Sequence, residues 1–221
     1  MNRITASCRI SDQSISRNGD TVFENKGADL SDFLLSVYRH FELNYPKFYK
    51  MDNLSKLGWL AAEVLLKGSL SAGDYQAEEI GITLANANSS LDTDLKYYET
   101  VKEIPSPALF VYTLPNIMIG EICIRNNFKG ESAFFVSPEF DADFLERYVN
   151  DLMDNNVLQA CICGWVDLLG EAYKAVLYLV EKDGKHSGRS PKERVFGADE
   201  DPAGIPFIKD NIHKIFQAEN G

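Results

Sequence analysis

Pro105-Ser-Pro-Ala-Leu-Phe-Val-Tyr-Thr-Leu-Pro-Asn116-Ile-Met-Ile-Gly120 opens the stretch that decides the fold, which continues through Ile122-Cys-Ile-Arg125 and Lys129-Gly130 to Cys163-Gly164-Trp165-Val166-Asp167. Apolar spacing after Asn116 predicts a helix to Asn127, with Gly120 small enough for close approach. Ala133 to Val136 reads as a short strand. Ser137 suits a helix N-cap and Pro138 the first helical position, which puts Glu139 in the first turn. That helix carries Phe144, Leu145, Tyr148, Leu152 and Met153 on its apolar stripe. Val157–Val166 and Tyr173–Glu181 follow as two strands joined at Leu169-Gly170, and this pair is expected to be antiparallel.

Outward from that stretch, Met51–Leu66 is the clearest helix, with Leu54, Leu57, Leu60, Ala61, Val64 and Leu65 at spacings of three and four. Glu79–Ala85 reads as a buried strand and Asp92–Val101 as a helix. The Asn86–Ser90 cluster between them suits turn and capping chemistry, with an anion cradle at a helix start as the alternative. Near the N-terminus, Arg3–Ile10 and Thr21–Glu24 read as strands around a turn-rich Asp12–Asp20, and Ser31 as the N-cap of a helix reaching His40. Strands alternating with helices predict an α/β domain with largely parallel neighbours before the final pair. We place this domain at residues 1–182. Asp183–Gly204 is poor in apolar residues and reads as a linker. Pro206–Phe216 reads as an amphipathic helix with Phe207, Ile208, Ile212, Ile215 and Phe216 on one face, so residues 183–221 form a linker plus helix.

On these residues, Met51 to Val180 resembles the N-terminal half of the β-ketoacyl synthases, a thiolase-like family. The Leu114-Pro115-Asn116 turn and the small-residue helix after it are similar to that family's pattern. In the family, the glycine matching Gly130 leads into a short strand and a Thr-Ala-Cys step, whose Cys attacks the acyl thioester. Counted without a gap, that step falls on Ser137, Pro138 and Glu139, with Phe140 following. The family's Ala-Gly-Gly-x-Glu strand end falls on Cys163–Asp167. The resemblance implies a thiolase-like half-fold: three α/β/α layers around a mixed sheet of about five strands. It also implies a degenerate nucleophile position at Glu139, with no catalytic residue intact.

Full-length members resemble two fused copies of one unit, and their two catalytic His and one Lys lie in the second copy. The 221 residues here accommodate about one copy. His40, His186 and His213 sit in neither a His-Gly-Thr nor an Asn-x-x-Phe-Gly context. The resemblance therefore implies a non-catalytic accessory subunit, similar to a chain length factor, in fatty acid, polyketide or aryl-polyene type synthesis. Glu139 would then stand where such subunits carry Gln. The implied partners are a second copy or a complete ketosynthase, with an acyl carrier protein as a further candidate. Two alternatives remain: a 3-oxoacyl synthase-type acyltransferase completed by a partner, or an acyl- or coenzyme A-binding protein using Asn86–Ser90.

Composition narrows the classes. Net charge is −11, which disfavours nucleic acid and slows docking to an acidic carrier protein unless a basic patch exists. Cys161 and Cys163 lie two apart in an apolar run and are expected on one buried strand face, as are Cys8 and Cys123 in other core segments. No further Cys or His at ligand spacing suggests a metal, and no cofactor is implied. Asp92, Asp94 and Glu99 fall on a different predicted helix from Asp151 and Asp154, so they read as solvated faces rather than paired acids. Met1-Asn-Arg-Ile-Thr has no apolar signal-like run, and no segment reaches the ~18 apolar residues of a membrane helix. A cytoplasmic protein with reduced thiols and no membrane span is expected.

Overall fold

The structure, a computed structural model, describes residues 1–70, 73–183 and 204–218. The expected 183–204 linker lies almost wholly outside the described residues. The strands are β1 (Asn2–Ser11), β2 (Ser14–Arg17), β3 (Asp20–Glu24), β4 (Ile80–Asn86), β5 (Ser132–Val136), β6 (Ala160–Leu169), β7 (Ala172–Lys182) and β8 (Ile205–Pro206). The helices are α1 (Leu30–His40), α2 (Asn53–Leu66), α3 (Leu91–Val101), α4 (Pro107–Phe110), α5 (Ile117–Asn126), α6 (Ala142–Asp154) and α7 (Lys209–Gln217).

All described strands join one sheet in the order β3-β2-β1-β7-β6-β4-β5, with β8 pairing β1. β4 is parallel to both β5 and β6, whereas β7 runs antiparallel to β6 and β1. The expected antiparallel final pair is therefore present, and the class is α/β with a mixed sheet. The sheet has eight strands rather than about five. Five of them (β5, β4, β6, β7 and β1) form the central body. The surplus is the β2–β3 hairpin and the short β8. β2 falls inside the segment read as turn-rich, because Ile15 sits between Ser14 and Ser16 and buries completely against the core.

Two apolar layers cover the two sheet faces. On one side α1, α2 and α5 pack Phe33, Leu57, Leu60, Ile122 and their neighbours against Ile82, Leu84, Ile162 and Leu177. On the other, α6 and α7 bring Leu145, Val149, Met153 and Ile212 onto Ile4, Cys161, Cys163, Val176 and Tyr178. Period-two alternation on β6 and β7 separates the two sets, as it must when a strand is buried on both faces.

Helix starts follow short acidic caps. Asp29, not Ser31, caps α1 by accepting from the Asp32 amide at 2.9 Å. Asp52 does the same for α2 through the Ser55 amide at 3.0 Å. Each capping side chain satisfies an amide that the helix itself leaves unpaired.

α7 is tied down along its length. The backbone N–H of Lys209 donates to Glu146 Oε2 at 2.6 Å, and Tyr178 Oη donates to the Ile212 carbonyl at 2.9 Å. At the other end Arg9 and Lys174 both donate to the Phe216 carbonyl at 2.9 Å, where the helix dipole favours cations. Burial, reinforced by Arg9, lowers the Lys174 pKa to about 8.

Candidate functional site

The C-terminal ends of β4 and β5 open towards one loop, residues 137–141, which carries the candidate residues. The helix after β5 was expected to begin at 137–140. It begins at Ala142 instead, with Asp141 as N-cap accepting from the Phe144 amide at 2.9 Å. The Ser137 hydroxyl donates to the Glu139 carbonyl at 2.9 Å and so does not cap the helix. Phe140 stacks on Phe216 of α7 at 3.9 Å between centroids. Glu139 is thus an exposed loop residue and not the second residue of a helix. Its expected helix-terminus environment is corrected, although it still lies between β5 and the following helix.

This has a direct consequence for reactivity. A thiol gains nucleophilicity from a helix N-terminus because the unpaired amides favour thiolate. Glu139→Cys should therefore alkylate readily through exposure alone, with a pH midpoint near the ordinary ~8.5 of a free Cys. A midpoint below about 7 in a pH-resolved iodoacetamide assay would contradict this placement. The native thiols should be slower, since Cys8, Cys161 and Cys163 are fully buried. Burial raises the Cys8 pKa to about 12 and raises that of Cys163 as well.

The loop forms one wall of a groove of about 970 Å³ whose opposite wall is α7, with Lys209, Asp210, His213, Lys214 and Gln217. His213 thus lines the same groove as Ser137 and Glu139, although the sequence reading placed no His near them. The helical period carries the only signal: with Ile212 buried, its neighbour His213 must face outward. Beneath the loop lies a separate slot of about 240 Å³, floored by Thr83, Ala85 and Gly164.

The Asn86–Ser90 cluster does form an anion cradle, but the chain fills it. Asp167 accepts from the Ala87 and Asn88 amides at 3.2 and 3.0 Å and from Asn88 Nδ2 at 2.8 Å. Asn86 and Ser89 close the turn through two bonds of 2.8 Å. The strand end Cys163–Asp167 therefore pins the β4–α3 loop, with Asp167 taking the amides that an anion would use.

The remaining carboxylates have local roles. Asp92 accepts from the Gly170 amide and Lys96, and Asp94 from Ser90. Asp151 accepts from Asn155 and Asp154 from Asn2. Among the described residues no group of three His, Cys, Asp or Glu is arranged to hold a metal, and no helix is long and apolar enough to cross a membrane.

No family model and no curated protein matches the sequence. Solved structures do match its shape. A chain of the ishigamide ketosynthase/chain length factor aligns with a TM-score of 0.61 at 16% identity, over 86% of this chain and 64% of that one. A chain from the ketosynthase ApeO in complex with its chain length factor ApeC, from Xenorhabdus doucetiae, gives 0.54 at 12% identity, over 82% and 79%. A β-ketoacyl synthase from Burkholderia phymatum STM815 gives 0.56 at 10% identity, over 84% and 60%. This chain spans less than two thirds of the first and third of these. The geometry and these matches together show that the chain has the thiolase-like fold of ketosynthases and chain length factors.

Proposed function

We propose that this protein is a ketosynthase-like accessory subunit without condensing chemistry of its own, acting as a homodimer or beside a complete ketosynthase in fatty acid, polyketide or aryl-polyene type synthesis. A cytoplasmic setting follows from that role. The observation that carries the reading is the ketosynthase and chain length factor shape combined with a loop, Ser137–Asp141, that presents no thiol where the resemblance expects one. The chain length factor ApeC is found in complex with a ketosynthase, and an accessory role for this chain follows that pattern.

The sheet edges support a partner. β3 is edged by Asp20 and Glu24, charges that discourage strand addition. β5, Ser132-Ala-Phe-Phe-Val136, ends the sheet at the other side with no charge and no Pro. Beside it runs a groove of about 550 Å³ lined by Asn116, Ile119, Gly120 and Cys123 of the α5 region. Leu95, Tyr98, Ile104, Phe110 and Leu114, in α3 and the segment leading to α5, are each more than half exposed. Exposed apolar side chains in this number suit a protein interface.

Affinity capture of the tagged chain from its native host, followed by mass spectrometry, tests the reading. The expected result is a co-purifying complete ketosynthase or a dimer by light scattering. The double variant Leu95→Lys/Leu114→Lys should lose that assembly while keeping its melting temperature within a few degrees, because exposed substitutions cost about 0.5 kcal/mol or less. A wild-type chain recovered only as a monomer, with no acyl-synthesis protein attached, would refute the accessory role.

A further inference from the structure

We infer that the groove where helices α2 and α5 end is a binding site for a small primary amine with an apolar body, of the arylalkylammonium class. This inference stands apart from the accessory role, because the groove lies at the opposite end of the sheet from the Ser137–Asp141 loop. That loop follows Val136, which pairs with Asn86 at the C-terminal end of β4. The groove is lined instead by Ile80, the first residue of β4.

The chain builds the groove from helix ends and aromatic rings. α2 ends at Leu66 and α5 at Asn126, and both residues line it. The last four carbonyls of a helix have no partner within it. At α5 the chain turns through Asn127 in the left-handed region, and the Asn127 and Phe128 amides both close on the Cys123 carbonyl rather than on Ile124, Arg125 or Asn126. At α2 the fold already uses a cation for this purpose: Arg17 donates to the Lys67 carbonyl, just past Leu66, at 2.7 Å. Tyr75 and Phe128 add two aromatic side chains to the lining, and both pack in one small apolar cluster with Ile80 and Ala160. The Tyr75 ring is fixed through its hydroxyl, which donates to Glu181 Oε1 at 2.7 Å.

Each part selects one feature of the ligand. Two helix C-termini carry partial negative charge and favour a cation. Carbonyl oxygens accept hydrogen bonds and donate none, so an ammonium with its N–H groups suits them and a carboxylate does not. Aromatic side chains attract a cation and take up an apolar body. The volume of about 410 Å³ is that of a small-molecule site. Glu78 and Lys129, the charged side chains beside Ala77 and Phe128, pair with each other at 3.9 Å and so offset one another. The net charge of −11 attracts a cation at longer range.

Calorimetric titration of the purified chain at neutral pH with phenethylamine, phenylethanol and phenylpropanoate tests the assignment. Phenethylamine should bind saturably and about tenfold more tightly than phenylethanol, and phenylpropanoate should not bind. Asn126→Lys places a tethered ammonium at the end of α5. It should weaken phenethylamine about tenfold while phenylethanol binding and the melting temperature hold, because a cation suits a helix C-terminus. Ala77→Phe fills the groove and should abolish binding of both amine and alcohol, and Ala77→Leu is a milder filling variant should the first fail to fold. No saturable phenethylamine binding, equal binding of the neutral or the anionic analogue, or undiminished amine binding by the folded variants would each overturn the inference.

Discussion

Phe207→Ala/Ile212→Ala is expected to remove most of the stability of the domain. Phe207 and Ile212 are 1% and 0% exposed, and both belong to the cluster beneath α6. Large-to-small changes at such sites cost about 3–5 kcal/mol for Phe and 2–5 for Ile. The two share neighbours, so the costs will not simply add. A combined loss of about 5 kcal/mol or more is still comparable to the ~5–15 kcal/mol stability of a typical domain. Denaturant titration at two protein concentrations reads the result. Loss of the cooperative transition at both would show that α7 and the segment leading into it complete the domain core. An unchanged midpoint would mean that α7 does not contribute to the fold.

Gly164→Ala is expected to be nearly as damaging. Gly164 sits in β6 at φ +147°, a conformation that residues with a side chain rarely adopt. An added Cβ would lie 2.1 Å from the Val176 carbonyl oxygen and 3.1 Å from Leu177 Cα, both backbone atoms of the neighbouring strand. Relief requires separation of β6 from β7, the most extensively paired strands of the sheet. We expect a loss of at least about 3–4 kcal/mol, at the severe end of single substitutions. Thermal unfolding followed by circular dichroism would show it as a fall of at least about 6 °C. A melting temperature within 2 °C of wild type would contradict the close approach. Gly81→Ala serves as a comparison, since its Cβ would likewise meet a backbone oxygen, that of Glu131, at 2.3 Å.

Much of the fold was legible in the chain, and the reasons are local. Apolar residues at helical spacing mark α2, α5 and α6, and alternating or continuous apolar runs mark β4 to β7. The order of these elements dictates an α/β sheet, and the short β6–β7 connection at Leu169-Gly170 dictates their antiparallel pairing. β2 was missed because four residues with one buried Ile carry little periodic signal. The start of α6 was misplaced because Ser137-Pro138 and Asp141 are competing N-terminal signals only four residues apart. Asp141 is the residue that caps α6, and Phe140 beside it stacks on Phe216, 76 positions along the chain, a contact that the local sequence cannot show.

The candidate site divides along the same line. The sequence by itself determined the absence of a thiol after β5, the glycine at 164, the small residues at 83 and 85, and the acidic balance of the chain. These are facts of composition and order. Only the tertiary structure decided what they become. It joined Asp167 to the Asn86–Ser90 turn across some 80 positions, so that a carboxylate of the chain itself occupies the turn's amides. It brought His213 into the same groove as Glu139, and it left a slot over Thr83 and Ala85. Periodicity reports which side of an element is buried, but not which distant element lies against it. Those pairings depend on how the α6 and α7 layer fits one face of the sheet, a matter of volume and long-range contact that no local pattern encodes.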